Sequence, residues 1–425
     1  MSARFRLFDA AVCLILLCAR GICGPGEFRT ALPDCLGLNI HFLEPKAGEM
    51  EMLAASGAHW ARMDFMWEAT EKAPGRYDFT AYDRLVSVLE SYKIRPYFIL
   101  DYANPHYDNG MSPYTEEGRQ AFAQWAAAAV EHFQGRGILW EIYNEPNIGF
   151  WRPKPHAHDY ILLALQVGEA IRSVSAQEVY VGPAVSLIDL EFLEACFKAG
   201  MLNYWSAVSV HPYRQRDPES AGEEFRRLRR LIAAYAGEGR EVPIIAGEWG
   251  YSSAWNWEGM DEAKQGKLLA REFLSNLAGG IPLTIWYDWH DDSAAAKDPE
   301  SHFGTVYFPY QPGAKPVYRP KPAYLALKTL SGILSGYQFS KRLEVGGAGD
   351  YVLLFRKEQD VRLAAWTTSS TARKVAIPSA PGRVMLTGHL GQKLKPLASH
   401  QGRLAITLTD APVYLVPEYA NQNLQ

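Results

Sequence analysis

The chain has 425 residues, 48% of them apolar and 21% charged, with a net charge of −4. That length is more than one ordinary core needs and suits a large domain followed by a smaller one. The composition excludes a disordered or fibrous chain, the charge gives no general affinity for nucleic acid, and five Cys with no Cys-x-x-Cys pair speak against a disulfide framework or a zinc site.

Arg4 and Arg6 precede an apolar run from Ala10 to Ala19, the layout of a secretory signal or N-terminal anchor over residues 1–24. The run is too short to cross a bilayer comfortably, which takes roughly 20 residues. The protein is therefore expected to be exported, periplasmic or extracellular, with any membrane association confined to this segment. Cys35 and Cys196 remain after it, and sequence leaves open whether they pair.

From Leu36 short, β-rich apolar runs alternate with longer helical patterns. The runs begin at Leu36, Trp60, Ile94, Ile138, Val179, Trp205, Val242 and Leu283. Between them lie stretches of helical periodicity such as Thr80–Ser91, Thr115–Phe133, Tyr160–Ser173, Glu223–Ala236 and Asp261–Leu277. Eight repeats of about 32 residues predict an α/β fold, a (β/α)8 TIM barrel over residues 25–335, with its active site at the C-terminal strand ends. An open doubly wound sheet is the competing architecture, but no Gly-x-Gly-x-x-Gly turn follows the first run. From Gly336 the texture changes to short alternating runs separated by Gly, Asp, Ser and Pro. These predict a small C-terminal β-sandwich over 336–425, without concentrated catalytic side chains and read as structural or accessory.

Two carboxylates stand where barrel chemistry occurs. The fourth run ends Trp140-Glu141-Ile142-Tyr143-Asn144-Glu145-Pro146-Asn147, so Glu145 falls at the rim, where Pro146 stops the strand. The seventh ends Ile245-Ala246-Gly247-Glu248-Trp249, three repeats later. Cleaving a glycosidic bond needs this pair: one carboxyl protonated to donate to the leaving oxygen, one ionised to attack the anomeric carbon. Like charges held close push their pKa values apart, which supplies both forms near neutral pH.

On these residues the chain resembles a retaining glycoside hydrolase of clan A, and its Asn-Glu-Pro-Asn stretch is most similar to family 39. That family includes β-xylosidases and bacterial hydrolases of biofilm exopolysaccharide. The resemblance extends through His302-Phe303-Gly304, Pro320-Lys321-Pro322-Ala323-Tyr324 and Asp410-Ala411-Pro412-Val413-Tyr414-Leu415. It implies Glu145 as general acid/base, Glu248 as nucleophile, and Asn144 as hydrogen-bond partner of the sugar 2-hydroxyl. It further implies that Tyr213, in His211-Pro212-Tyr213 at the sixth strand end, holds Glu248, and that Arg62 of the second strand lowers its pKa. Tyr143 departs from the family, which often has Trp there. Length and layout resemble the exopolysaccharide hydrolases.

The other strand ends supply binding candidates. His41 ends the first strand, Asp101 and Tyr102 the third, and His211 is expected to line the cleft beside Tyr213. Trp286 or Trp289 of the eighth strand is expected to form the platform under the sugar, with Trp151, Trp249, Trp255 and Trp257 in rim loops. His156-Ala157-His158-Asp159 has no visible partner ligands, so no metal is expected, and no cofactor. The run Arg226-Arg227-Leu228-Arg229-Arg230 reads as a solvated helix face. The expectation is an exported, endo-acting exopolysaccharide glycosidase, a monomer, whose partner is a polysaccharide or oligosaccharide. Its rivals are a cellulase-, mannanase- or xylosidase-like relative in the same clan and a non-catalytic polysaccharide-binding protein with a degenerate barrel.

Overall fold

The structure, a computed structural model, describes residue 28, residues 30–295 and residues 298–418. The expected export segment lies outside the described residues. Strands β1 (Leu36–Asn39), β2 (Trp60–Met66), β3 (Arg95–Asp101), β4 (Leu139–Ile142), β5 (Val179–Ser186), β6 (Ala207–His211), β7 (Ile244–Trp249) and β8 (Thr284–Trp286) form a closed parallel barrel, ordered β1-β8-β7-β6-β5-β4-β3-β2. Each begins within one of the eight expected runs, and β2, β3 and β5 extend one residue beyond it. Helices α1 (Glu49–Ser56), α2 (Thr80–Ser91), α3 (Glu116–His132), α4 (Ala157–Val174), α5 (Leu190–Lys198), α6 (Ala221–Tyr235), α7 (Glu262–Ala278) and α8 (Pro322–Leu334) follow the strands in turn.

Local chemistry sets these boundaries. Thr115, Asp189 and Asp261 cap α3, α5 and α7, each side chain accepting a backbone N–H from the first turn. In α6, Phe225, Leu228 and Ile232 turn inward at helical spacing, while Arg226 and Arg227 pair with Glu223 at the surface. Inside the barrel, Trp60, Tyr97, Leu139, Val181, Ile245 and Ile285 form an apolar plug toward the strand N-termini. The polar strand ends stand above that plug.

After the barrel come strands β9 (Gln338–Arg342), β10 (Asp350–Lys357), β11 (Asp360–Thr367), β12 (Arg373–Pro378), β13 (Arg383–Gly388), β14 (Lys393–Ala398), β15 (Arg403–Leu408) and β16 (Val413–Pro417). Six form an antiparallel sheet ordered β9-β10-β11-β16-β13-β14, and β12 pairs with β15. Alternation divides β10: Val352 and Leu354 face the sandwich core, whereas Leu353 and Phe355 join the apolar core of the barrel. Trp366 follows the second pattern, its indole N–H donating to Glu219 Oε1 at 2.6 Å. Cys35 and Cys196 are free and buried. Among the described residues no helix is long and apolar enough to cross a membrane.

Candidate active site

Arg62 of β2 is the hub of the polar end of the barrel. It is 1% exposed, and a buried guanidinium must be paired. Its Nε and Nη2 donate to Glu141 Oε2 at 2.9 and 2.7 Å, and its Nη1 donates to Glu248 Oε2 at 2.5 Å. Asn39 Oδ1 and Asn144 Oδ1 accept further bonds at 3.2 and 3.0 Å. Glu141, fully buried on β4, also accepts from Tyr97 Oη at 2.6 Å and from Ser209 Oγ. Gly247 makes room for this cluster. A Cβ there would lie 2.2 Å from Ser209 Oγ and 2.9 Å from Glu141 Oε1, so only glycine lets β7 present Glu248 beside it.

Glu248 receives a second hydrogen bond from Tyr213 Oη at 2.7 Å. Burial pushes its carboxyl pKa up, but the Arg62 guanidinium and the Tyr213 hydroxyl act against burial, and the carboxyl is held below the usual carboxylate range. Glu145 leaves β4 through a strained loop. Tyr143 (φ 59°) and Glu145 (φ 44°) both occupy the left-handed region, which costs a non-glycine residue about 1–3 kcal/mol. Backbone bonds from Tyr143 N to Leu100 O (3.1 Å) and from Glu145 N to Ala184 O (3.0 Å) hold that shape. Tyr143 is buried beneath the loop, its hydroxyl 2.5 Å from Ser112 Oγ.

His211 Nδ1 is 3.0 Å from Glu145 Oε1, and its Nε2 is 3.3 Å from Arg62 Nη2. A guanidinium only donates, so Nε2 accepts and Nδ1–H is turned to Glu145. One ligand-type atom from each of Glu145, His211 and Glu248 lies within 4.8 Å of the others. The two glutamates thus face one reaction point, in a cleft of about 460 Å³.

The cleft is also lined by Asn39, His41, Arg62, Asp64, Tyr102, Asn144, Tyr213 and Tyr287. Four of the expected binding residues do not line it. Trp286 and Trp289 are fully buried and do not form the platform. Trp286 packs outside the barrel near Tyr251 (centroids 6.2 Å) and donates to Phe303 O, while the Trp289 indole donates to Glu49 Oε1 at 3.1 Å. Tyr287, between them, reaches the cleft instead, with Trp255 and Phe303 beside it and Phe150 on Tyr102 opposite (centroids 5.8 Å). Asp101 is fully buried below the cleft, and Asp64 takes its place at the surface. Burial, then the neighbouring charge of Asp64, pushes the Asp101 carboxyl well above its ordinary range. His211 is likewise fully buried and acts on the cleft through Glu145. His156 and Asp159 pair with each other at 2.9 Å on the surface.

Sequence reasoning passed over Asn39, Asp64, Glu141 and Tyr287. Glu141 carried a signal: a carboxylate centred in an otherwise apolar buried strand must have a buried cation, and Arg62 is at the matching level of β2.

A closed eight-stranded parallel barrel, carrying paired glutamates at the ends of β4 and β7, is the framework of a clan A glycoside hydrolase. Residues 36–293 match the family described as Cellulase (glycosyl hydrolase family 5), and the chain belongs to that family. Solved structures share the fold across nearly the whole chain. A family 39 glycoside hydrolase from Bacteroides cellulosilyticus WH2 superposes with a TM-score of 0.77 at 24% identity, covering 90% of this chain and 81% of that one. A family 39 β-xylosidase from Caulobacter crescentus gives 0.67 at 18% identity, covering 94% and 98%. A family 30 endoxylanase from Clostridium papyrosolvens C71 gives 0.62 at 10% identity, covering 93% and 98%. No curated protein matches the chain in sequence.

Proposed function

We propose that the protein is a retaining, endo-acting hydrolase of a bacterial exopolysaccharide, with Glu248 as nucleophile and Glu145 as general acid/base. The observation that carries the mechanism is the 4.8 Å limit on the spacing of Glu145, His211 and Glu248 atoms. Retaining carboxyls stand about 5–5.5 Å apart, whereas inverting pairs stand about 6.5–9.5 Å apart to admit a water. The Glu248 carboxylate attacks the anomeric carbon as the glycosidic C–O bond breaks, and the leaving oxygen takes the proton of Glu145. Glu145 then removes a proton from water, which attacks the glycosyl ester and frees Glu248 as carboxylate. In this reading Asn144, whose Oδ1 accepts from Arg62, bonds the sugar 2-hydroxyl.

The N-terminal apolar segment supports export, and the barrel-plus-sandwich layout with an aromatic-lined cleft supports a polymeric substrate. The family 5 match favours a second reading, a cellulase- or mannanase-like substrate. Reducing-end release and product size on xylan, glucan, mannan and a bacterial exopolysaccharide separate the two. Glu248→Gln and Glu145→Gln are each expected to lower turnover by about 10³-fold or more with an unchanged melting temperature. Near-normal turnover of Glu248→Gln overturns the mechanism, and glycan binding with no release from any polymer favours a binding protein.

A further inference from the structure

The loop after β4 holds an aromatic side chain outward on the acid/base side of the cleft. Phe150 lines the cleft, on the same loop as Glu145, and is 45% exposed. A lone exposed Phe is ordinary on a protein surface, but this one is fixed from behind. Its ring stacks on Tyr102, with centroids 5.8 Å apart and planes 18° from parallel, the offset geometry that aromatic pairs favour. Tyr102 in turn meets Tyr143 edge to face at 5.5 Å. The Tyr143 hydroxyl donates to Phe150 O at 3.2 Å and meets Ser112 Oγ, which accepts from Arg152 N at 2.8 Å. Trp151 is 1% exposed and packs on Tyr143 at 4.9 Å, which anchors the chain on the far side of Phe150. Phe150 therefore presents a flat apolar surface that a ligand need not order.

The place of this surface decides what it holds. The aromatic residues of the cleft divide between its two carboxylates. Phe303 lies 5.9 Å from Tyr213, the partner of Glu248, and Tyr287 and Trp255 each lie 5.4 Å from Phe303. Tyr102, directly after β3, and Phe150 stand on the Glu145 side. In the reaction proposed above, Glu248 bonds the anomeric carbon and Glu145 protonates the oxygen that leaves, so the departing sugar lies on the Glu145 side. A pyranose ring has an apolar C–H face, which packs on a flat aromatic ring. We propose that Phe150 is the platform for the leaving-group sugar, so that the enzyme selects substrates with a sugar ring on both sides of the cleaved bond. The inference rests on the glycosidase reading and adds a specificity residue to it. Once the glycosyl ester has formed, the same platform seats an acceptor sugar in place of the departed one. An acceptor hydroxyl gives its proton to Glu145, its oxygen bonds the anomeric carbon, and the ester bond breaks to free Glu248 as carboxylate.

The test compares the wild type with Phe150→Ala, Phe150→Leu and Phe150→Trp on whichever of xylan, glucan, mannan and a bacterial exopolysaccharide the wild type cleaves. The first readout is kcat/KM. The second is the ratio of transfer to hydrolysis products, by mass spectrometry, with short fragments of the same polymer added in excess as acceptors. Loss of the flat ring is expected to lower kcat/KM about tenfold in Phe150→Ala and Phe150→Leu, mainly by raising KM. The transfer ratio is expected to fall in the same two variants, and Phe150→Trp to keep both quantities near wild type. A disturbed loop would slow attack by water and by acceptor alike. A lowered kcat/KM with an unmoved transfer ratio therefore overturns the proposal, as do wild-type behaviour of Phe150→Ala and Phe150→Leu and a wild type that transfers to no acceptor. Each of these results leaves the glycosidase reading intact. No cleavage of any polymer by the wild type rejects that reading, and the leaving-group role with it.

Discussion

Tyr213 Oη and Arg62 Nη1 give Glu248 one hydrogen bond to each carboxylate oxygen, and both bonds favour the ionised form. Removing one raises the Glu248 pKa, so less of the enzyme carries an ionised nucleophile in acid. In Tyr213→Phe the acid limb of the kcat/KM profile is therefore expected to move to higher pH. The deficit should be smallest where Glu248 is ionised in both proteins. A uniform loss across the profile, with the limb unmoved, would show that the hydroxyl only positions the side chain. Positions such as Glu145 and Glu248 were legible in the sequence because a strand end is marked by Pro146 and by the change from an apolar run to polar residues. Partners from other strands, such as Asn39 and Asp64, were not, because pairing across a barrel depends on register rather than spacing.

At the level of elements, β8 shows where strand patterning stops being informative. Its pairing with β7 shifts register between Thr284 and Trp286. Beyond such an irregularity a period-two pattern no longer says which side chain faces inward. Trp286 therefore packs outward and Tyr287 enters the cleft. Helix α2 was legible to the residue because its apolar positions Tyr82, Leu85, Val86 and Leu89 keep a strict helical spacing. The segment joining β8 to α8 is pinned by an ion pair that no periodicity reveals. Lys321, fully buried, donates to Asp291 Oδ1 at 2.9 Å, and the same oxygen accepts from Gly304 N at 3.0 Å. Lys321→Met leaves the Asp291 charge buried and unpaired, and is expected to lower stability by about 3–5 kcal/mol in chemical denaturation. A loss below about 1 kcal/mol would mean that the pair is replaceable by packing alone.

For the whole molecule, the outer face of the β10–β11 sheet completes the barrel core with Leu353, Phe355, Ala364 and Trp366. Polar contacts reinforce it: Trp366 to Glu219, Arg271 to the same glutamate at 2.7 Å, and Lys267 to Asp410 at 2.9 Å. Cutting the chain at residue 335 would expose that apolar face and leave Glu219 short of a donor. The full protein is expected to unfold in one calorimetric transition, and the shortened chain to aggregate or melt well below it. Two resolved transitions would show that the barrel stands without the sandwich.

The Arg62–Glu141 pair has a further consequence, in the divergence of sequences. Each of the two is tolerable inside the barrel only because the other is there, and Gly247 leaves room for Glu141 and the Ser209 hydroxyl bonded to it. Single substitutions at these positions should be purged, and relatives should differ there in concert: an apolar residue at 141 together with loss of the cation at 62, and a side chain at 247 once the space is vacated. Those relatives would keep the barrel while lacking the group that holds the β7 carboxylate ionised, so covariation at three buried positions would separate active lineages from sugar-binding ones.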